Sequence, residues 1–532
     1  EIIIPFGLRP FDIIQDNPTL WHIIKSSFII FYILENYIFL NIIISRFNLF
    51  PKGHPREVQS NNTQKTSLQL LIGKDISSVK NIYIPESGLY QNFLITGTIG
   101  TGKTSSAMYP FTKQLLFYEC NNCSKKLGML ILDVKGNYYE KVLEFAKMCN
   151  RKDDVIVLEL NGKFKYNPLH KPNLKASVLA NRLKTILLLF SKNNSESYWL
   201  DEAEKILSEA IKLCRLYNDN YVTFEELHKI ITMPDYYAEK IALLRSKFIE
   251  NNFTKEEVYN LLSSLNFFEK EFLALDQRTL SILKSEITRI TNCFISDYDV
   301  LKTFNPTIDE LNFHGFEEVL NEGKIVVLKM NISEYTNLSK IIAAYLKLDF
   351  QSDVMTRLAK NSDCNFRSVC FISDEYSEYC TETDANFFSQ SREAKCINIV
   401  ATQSYTSLLN ALNNQSSVNV IIQNLINKLW FRTDDMFTIE TAQKQIGKED
   451  KEKISKTISE NAKNTVYSYF TNSLNSKDSS ISESVNTYSQ SDYIYDTNFF
   501  TQFLENFTCL AFLSNGSQII PPQKINLIPY FK

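Results

Sequence analysis

The chain lacks any excess of positive charge. Its 57 Lys and Arg stand against 60 Asp and Glu in 532 residues, a formal net charge of −3. That excludes a surface basic enough to hold nucleic acid wherever it touches; such a partner would have to meet a local patch or a pore. A cysteine framework is also missing. Ten cysteines are scattered without a repeating spacing. Cys120 and Cys123 form a C-x-x-C, but no second pair and no nearby His-x-x-His completes a zinc site. The segment has no thioredoxin-like βαβ context either, which leaves the reduced thiols of a cytoplasmic protein. Glycine is scarce, with 14 residues, so a complete glycine-rich motif is no accident of composition. Wholesale disorder is excluded, because 44% hydrophobic and 22% charged residues are ordinary for a globular chain. The length leaves room for two or three domains.

Against that scarcity, residues 97–104 read G-T-I-G-T-G-K-T, a full GxxxxGK[ST] phosphate-binding loop. It follows the apolar run Phe93-Leu94-Ile95 and opens onto a helical stretch beginning at Ser105. Strand, loop and helix in that order are what the chemistry requires. Backbone N–H groups of Gly97, Thr98, Ile99, Gly100, Thr101 and Gly102 wrap the β-phosphate, Lys103 reaches the β- and γ-phosphates, and the Thr104 hydroxyl sits on Mg²⁺. The expected ligands are therefore ATP and Mg²⁺.

The chain starts at Glu1 rather than Met, and further sequence upstream is expected. Residues 26–44 form a 19-residue run long enough to span a bilayer. The run contains Glu35, Asn36 and Asn41, and a carboxylate near the centre costs on the order of 3 kcal/mol. Arg46, Lys52 and Arg56 follow it, which places the rest of the chain in the cytoplasm by the positive-inside rule. A buried helix is the competing reading.

Downstream of the loop, residues 127–132 are a continuous apolar run ending at Asp133, as a buried parallel strand reads. A helix over 138–149 and a strand over 155–160 follow. From 175 to about 304 the period changes to 3.6, as in Leu179, Leu183, Ile186 and Leu187. Strands return at 324–328, 368–372, 396–400 and 428–431, with helices over 338–358, 385–393 and 408–411 between them. The expected organisation is an N-terminal segment (1–60), the first part of an α/β core (61–174), an inserted all-α domain (175–312) and the second part of the core (313–532). Residues 455–490, rich in Ser, Asn and Thr, read as a mobile loop or hairpin.

A P-loop enzyme needs a carboxylate on a neighbouring strand to hold Mg²⁺ through its water shell, and a base for the attacking water. Asp374 and Glu375, ending the run Phe371-Ile372-Ser373, supply both: Asp374 for the metal and Glu375 for the water. Gln403 ends the next strand and is the candidate γ-phosphate sensor. Arg392, at the end of the helix before that strand, is the candidate arginine finger for a neighbouring subunit.

Taken together, these motifs resemble the type IV secretion coupling proteins of the TraG/TraD kind, relatives of the FtsK and HerA DNA-pumping ATPases. The resemblance covers about residues 88–444. It rests on the P-loop, on Asp133-Val134-Lys135-Gly136 (like a D-P-K-G-E), on Tyr166-Asn167-Pro168-Leu169 (like an N-P-L) and on Tyr198-Trp199-Leu200-Asp201-Glu202-Ala203 (like the W-x-x-x-A that opens an all-α domain). Asp374-Glu375, Ser391-Arg392 and Ala401-Thr402-Gln403-Ser404 complete it, in family order. Val134 stands where the family prefers proline and Asn137 where it prefers glutamate. The resemblance implies a RecA-like P-loop core with an inserted all-α domain, a homo-hexameric ring and a place at the bacterial cytoplasmic membrane with the ATPase inside. It also implies pumping of single-stranded DNA with an attached relaxase towards type IV secretion channel proteins. Two other readings remain: a cytoplasmic FtsK- or HerA-type translocase, and a coupling ATPase for protein effectors.

Overall fold

Among the described residues seven strands of the sheet run parallel, and most are short and apolar enough to be covered on both faces. In a computed structural model of the chain, β3 (Phe93–Thr96), β4 (Gly128–Leu132), β5 (Val155–Leu158), β6 (Ile325–Leu328), β7 (Val369–Ser373), β8 (Cys396–Thr402) and β9 (Asn427–Trp430) lie in the order β9-β3-β8-β7-β4-β6-β5. The structure describes residues 67–532 except 190–196, 251–252, 336, 360–365, 461–464, 469–472, 477–480 and 532. Of residues 1–66, which group apart from the rest, only Ser26, Ser27, Phe31 and Tyr32 are described, so the 26–44 run otherwise lies outside the described residues. Among the described residues no helix is long and apolar enough to cross a membrane.

Alternation along these strands builds two cores. Phe93, Ile95, Met129, Ile131, Ile372 and Ile399 face α1 (Tyr109–Phe117) and α2 (Tyr138–Met148). Leu94, Leu130, Val326, Phe371 and Val400 belong to the other face. Period-two alternation with both faces apolar is why these segments read as unbroken hydrophobic runs. The second core continues without a break into the helical block, through Leu179, Leu183, Phe224, Ile287 and Phe294.

That block contains α3 (Ala176–Leu188), α4 (Ser197–Tyr217), α5 (Phe224–Thr232), α6 (Pro234–Glu250), α7 (Lys255–Asn266), α8 (Gln277–Ile295) and α9 (Tyr298–Phe304). Side-chain oxygens start several of them. Thr223 caps α5, Thr254 and Glu257 form a capping box on α7, Asp276 caps α8 and Asp297 caps α9.

The motif at Tyr166 to Leu169 is the joint between the block and the core. Asn167 Nδ2 donates to the Val222 carbonyl at 2.9 Å, and Tyr345 OH donates to the Pro168 carbonyl at 3.0 Å. On α10 (Asn337–Met355), Asp349 is fully buried. It takes Arg182 of α3 at 2.6 Å and Lys171 at 2.9 Å, and the Tyr166 hydroxyl donates to it. Against the cost of burial, Lys171 and Arg182 hold the Asp349 carboxyl below its ordinary range. Asp353, 3.5 Å from Lys171, is instead pushed up to about 6, by burial first and by the Asp349 charge second.

A raised carboxyl contributes stability that is complete below its unfolded value of 3.8 and lost as pH rises through 6. Asp353→Asn stays neutral throughout. Its stability should therefore rise relative to the parent between about pH 3 and pH 7, by on the order of 2–3 kcal/mol across the window. A gap that does not change with pH would contradict the assignment.

Four antiparallel strands extend the sheet on the β9 side in the order β2-β1-β15-β14: β1 (Gln69–Asp75), β2 (Asn81–Pro85), β14 (Thr508–Ser514) and β15 (Ile519–Asn526). The polar stretch expected as a loop or hairpin is in its described parts a ribbon. β10 (Lys448–Glu460) pairs antiparallel with β13 (Ile481–Tyr493), and β11 (Thr465–Ser468) with β12 (Ser473–Ser476), so the pairing starts seven residues before 455.

Candidate functional site

At the carboxyl end of β3 the chain leaves the sheet at Gly97 and re-enters a helix through a π-turn, Lys103–Met108, before α1. Gly102 starts that turn at φ +97°, and a Cβ there would stand 2.5 Å from the Phe507 ring. Both facts require glycine. Neighbouring strand ends hold the loop. Thr98 donates its N–H (2.9 Å) and its hydroxyl (3.1 Å) to the Arg432 carbonyl just beyond β9, and Thr101 Oγ1 donates to the Thr98 carbonyl at 2.8 Å. From the C-terminal segment, the Phe507 N–H donates to the Thr101 carbonyl at 3.0 Å. Ile99 is exposed, and a Cβ on Gly100 would meet nothing, so the outer wall of the loop is open.

Lys103 is 6% exposed and folds back into the loop, donating to the carbonyls of Gly97 and Thr98. Thr104 Oγ1 donates to Asp374 Oδ2 at 2.8 Å. Asp374 sits just past β7, and its N–H donates to the Leu132 carbonyl at 3.0 Å. Glu375 follows in the left-handed region at φ +50°. Gln403, exposed at the end of β8, donates from Nε2 to Glu375 Oε1 at 3.5 Å, and its carbonyl accepts the Gly97 N–H at 3.3 Å. The sheet thus brings the P-loop, Asp374, Glu375 and Gln403 to one edge, the carboxyl ends of parallel strands, where α/β sheets place their ligands.

The expected adjacency is corrected by one strand. β8 pairs with β3 on one side and β7 on the other, so Asp374 is two strands from the P-loop and Gln403 lies between them. Arg392 is placed differently from expectation. α11 (Asp384–Gln390) ends before it, and Arg392 is exposed in the turn that enters β8. The seven residues of β8 separate it from Gln403, roughly 20 Å at strand rise. Arg392 is therefore at the opposite edge of the sheet from its own P-loop.

Electrostatically the edge is overloaded with negative charge. Burial first, then Asp374, raise the Glu375 carboxyl, while Lys103, Lys135 and the Gln403 hydrogen bond oppose the shift. Asp133 is raised by burial and by Asp374, against hydrogen bonds from the N–H groups of Lys135, Asn137 and Tyr138. Asp133 thus shapes the turn into α2 and adds a carboxyl beside Asp374. Burial lowers the Lys103 ammonium, with Glu375 and Asp374 opposing. Two buried carboxyls raised in part by the Asp374 charge, beside a threonine hydroxyl, are a donor set that a divalent cation would relieve. Among the described residues no cluster of three or more His, Cys, Asp or Glu forms a closed metal cage.

Lys135, which the sequence places in the Asp133–Gly136 stretch without a role, is a charge felt at Lys103 and Glu375, while Arg432 grips the loop through its backbone and Phe507 covers Gly102, neither marked in the sequence. A charged residue three positions before the α2 start could have flagged the role of Lys135.

Loop, strand order and acidic strand ends define a RecA-like P-loop NTPase fold, α/β with helices between the two halves of its sheet. Among solved structures, the unbound form of the bacterial conjugative coupling protein TrwBΔN70 superposes with a TM-score of 0.55 at 13% identity, covering 86% of this chain and 88% of that one. TrwB with the ATP analogue ADPNP gives 0.56 at 13% identity, over 89% and 91%. TrwB with ADP and Mg²⁺ gives 0.56 at 12% identity, over the same shares. The fold is the one those structures have. The sequence matches no family model and no curated protein.

Proposed function

We propose that this chain hydrolyses ATP with Mg²⁺ and couples the cycle to moving DNA, as a conjugative coupling protein. The observation that carries the reading is the 2.8 Å contact between Thr104 and Asp374 across the mouth of a loop already holding a buried lysine. These two oxygens would hold Mg²⁺ together with phosphate and water, and the bound ion would supply charge neutralisation at the β- and γ-phosphates. The solved TrwB complexes with ADPNP and with ADP and Mg²⁺ favour the same pair of ligands here.

Each residue then has one task. Backbone N–H groups of residues 97–102 cradle the phosphates, and Lys103 exchanges its two carbonyl partners for phosphate oxygens. Glu375, its carboxyl raised, orients and deprotonates the attacking water. Gln403 bonds both to Glu375 and, through its carbonyl, to the loop, so it can report the loss of the γ-phosphate to β8. Arg392 cannot reach its own site and serves a neighbour's in a homo-hexameric ring. The ring gathers a few lysines from each subunit around a lumen, so an acidic chain can hold single-stranded DNA. Residues 175–312 form the cargo-selecting domain, with a relaxase and the secretion channel as partners. The N-terminal segment anchors the ring at the membrane.

Phosphate release from ATP with and without single-stranded DNA tests the proposal. Stimulation by DNA supports the motor. Turnover indifferent to DNA supports an effector-coupling ATPase, and no turnover removes both. The ring has its own test. Arg392→Ala and Lys103→Ala chains, each inactive alone, should recover activity when mixed, at about a quarter of interfaces, against a finger loss on the order of a thousandfold. Mixed hexamers that stay inactive at every ratio would show that Arg392 is not a finger.

A further inference from the structure

The segment that leaves Glu375 is fastened by a cluster of fully buried charges. Lys347 of α10 and Asp384 at the start of α11 have no exposed surface and pair at 2.6 Å. Lys347 Nζ also donates to the Tyr379 carbonyl at 2.8 Å and to Thr381 Oγ1 at 3.1 Å. Asp384 accepts from Gln351 Nε2 at 2.9 Å, from the Thr381 N–H at 2.9 Å and from Thr381 Oγ1 at 3.1 Å. It also accepts the Tyr376 hydroxyl. The Tyr379 hydroxyl donates to the Asp374 carbonyl at 2.8 Å and accepts from Ser373 Oγ at 3.0 Å. Residues 374, 376, 379 and 381 are all held, and the one between the first two is Glu375.

Stability alone does not explain the cluster. A buried ion pair seldom outperforms apolar residues of the same volume. What does need explaining is a glutamate in the left-handed region, a conformation that persists only where its surroundings over-determine it. The Lys347–Asp384 cluster is that surrounding structure. Apart from the bond to Gln351, its hydrogen bonds fall on Tyr376, Tyr379 and Thr381 in the turn that follows Glu375, and the pair makes none with the P-loop.

We propose that Lys347 and Asp384 are positioning residues for Glu375. They clamp the turn through Tyr376, Tyr379 and Thr381, so that the Glu375 carboxylate is presented beside Gln403 rather than swinging free. The proposal rests on the hydrolytic role given to Glu375 above.

The test is the double variant Lys347→Met/Asp384→Asn in the full chain, which removes both charges and so strands neither. ADPNP affinity, steady-state ATP turnover and cooperative melting are measured together. Nucleotide affinity and KM should stay within about threefold of the parent while kcat falls about tenfold or more. In a Glu375→Gln background the same pair should cost nothing further, because its effect passes through that carboxylate. Tyr379→Phe, which removes one hydroxyl, should give a smaller loss with the same kcat-only signature, and it decides the matter if the double variant does not fold. Unchanged kcat, an equal loss of affinity and turnover, or an additive loss in the Glu375→Gln background would overturn the proposal. Failure of the underlying reading looks different: the parent releases no phosphate, or Glu375→Gln turns over normally.

Discussion

Lys103→Ala is expected to fold like the parent and to lose ATP turnover by at least about a hundredfold. The lysine contributes charge to the loop and little to either core. Its ammonium rests on two loop carbonyls, while the π-turn is anchored by Ala107 and Met108, both fully buried. Burial already disfavours the charged form, and Glu375 and Asp374 oppose that cost. Removing a charge that is expensive to bury should leave the melting temperature unchanged or slightly higher. Normal turnover by the folded variant would remove the P-loop assignment and everything built on it.

Glu375→Gln is expected to separate binding from cleavage. Glutamine keeps the shape and can still meet Gln403, yet it cannot take a proton from water. Turnover should fall by on the order of a hundred- to ten-thousandfold while ATP remains bound. The parent's pH dependence bears on the same point. Burial and Asp374 raise the Glu375 carboxyl, and only the ionised form can act as base. Activity should therefore decline on acidification from a higher pH than an ordinary glutamate would give. A variant that fails to bind ATP would mean that the roles of Asp374 and Glu375 are exchanged.

Much of this site could be read from sequence because its parts are local. The phosphate loop needs eight consecutive residues between a strand and a helix, and Asp374-Glu375 closes an apolar run. Strands buried on both faces announce themselves as continuous hydrophobic stretches, as in residues 127–132. The helical block shows its 3.6 period over more than a hundred residues. What stayed hidden depends on partners far along the chain. No local signal puts β8 between β3 and β7, or Arg392 on the far edge. β15 carries Pro521 and Pro522, which speak against a strand, yet it pairs with β14 and touches β1 only near Ile525 and Asn526. The β10–β13 ribbon has charged or polar residues on both faces, so alternation never marked it as strand. Lys347 and Asp384 are separated by 37 residues, and each alone reads as an ordinary helix charge.

A hydrolytic site at Lys103, Thr104, Asp374 and Glu375 is tested most directly by the identity of the nucleotide retained after incubation with Mg·ATP and rapid removal of free ligand. Chromatography of what the parent holds should show ADP, and the Glu375→Gln chain should hold ATP. No retained nucleotide in either, or ADP in both, would contradict a hydrolytic site at Lys103, Thr104, Asp374 and Glu375.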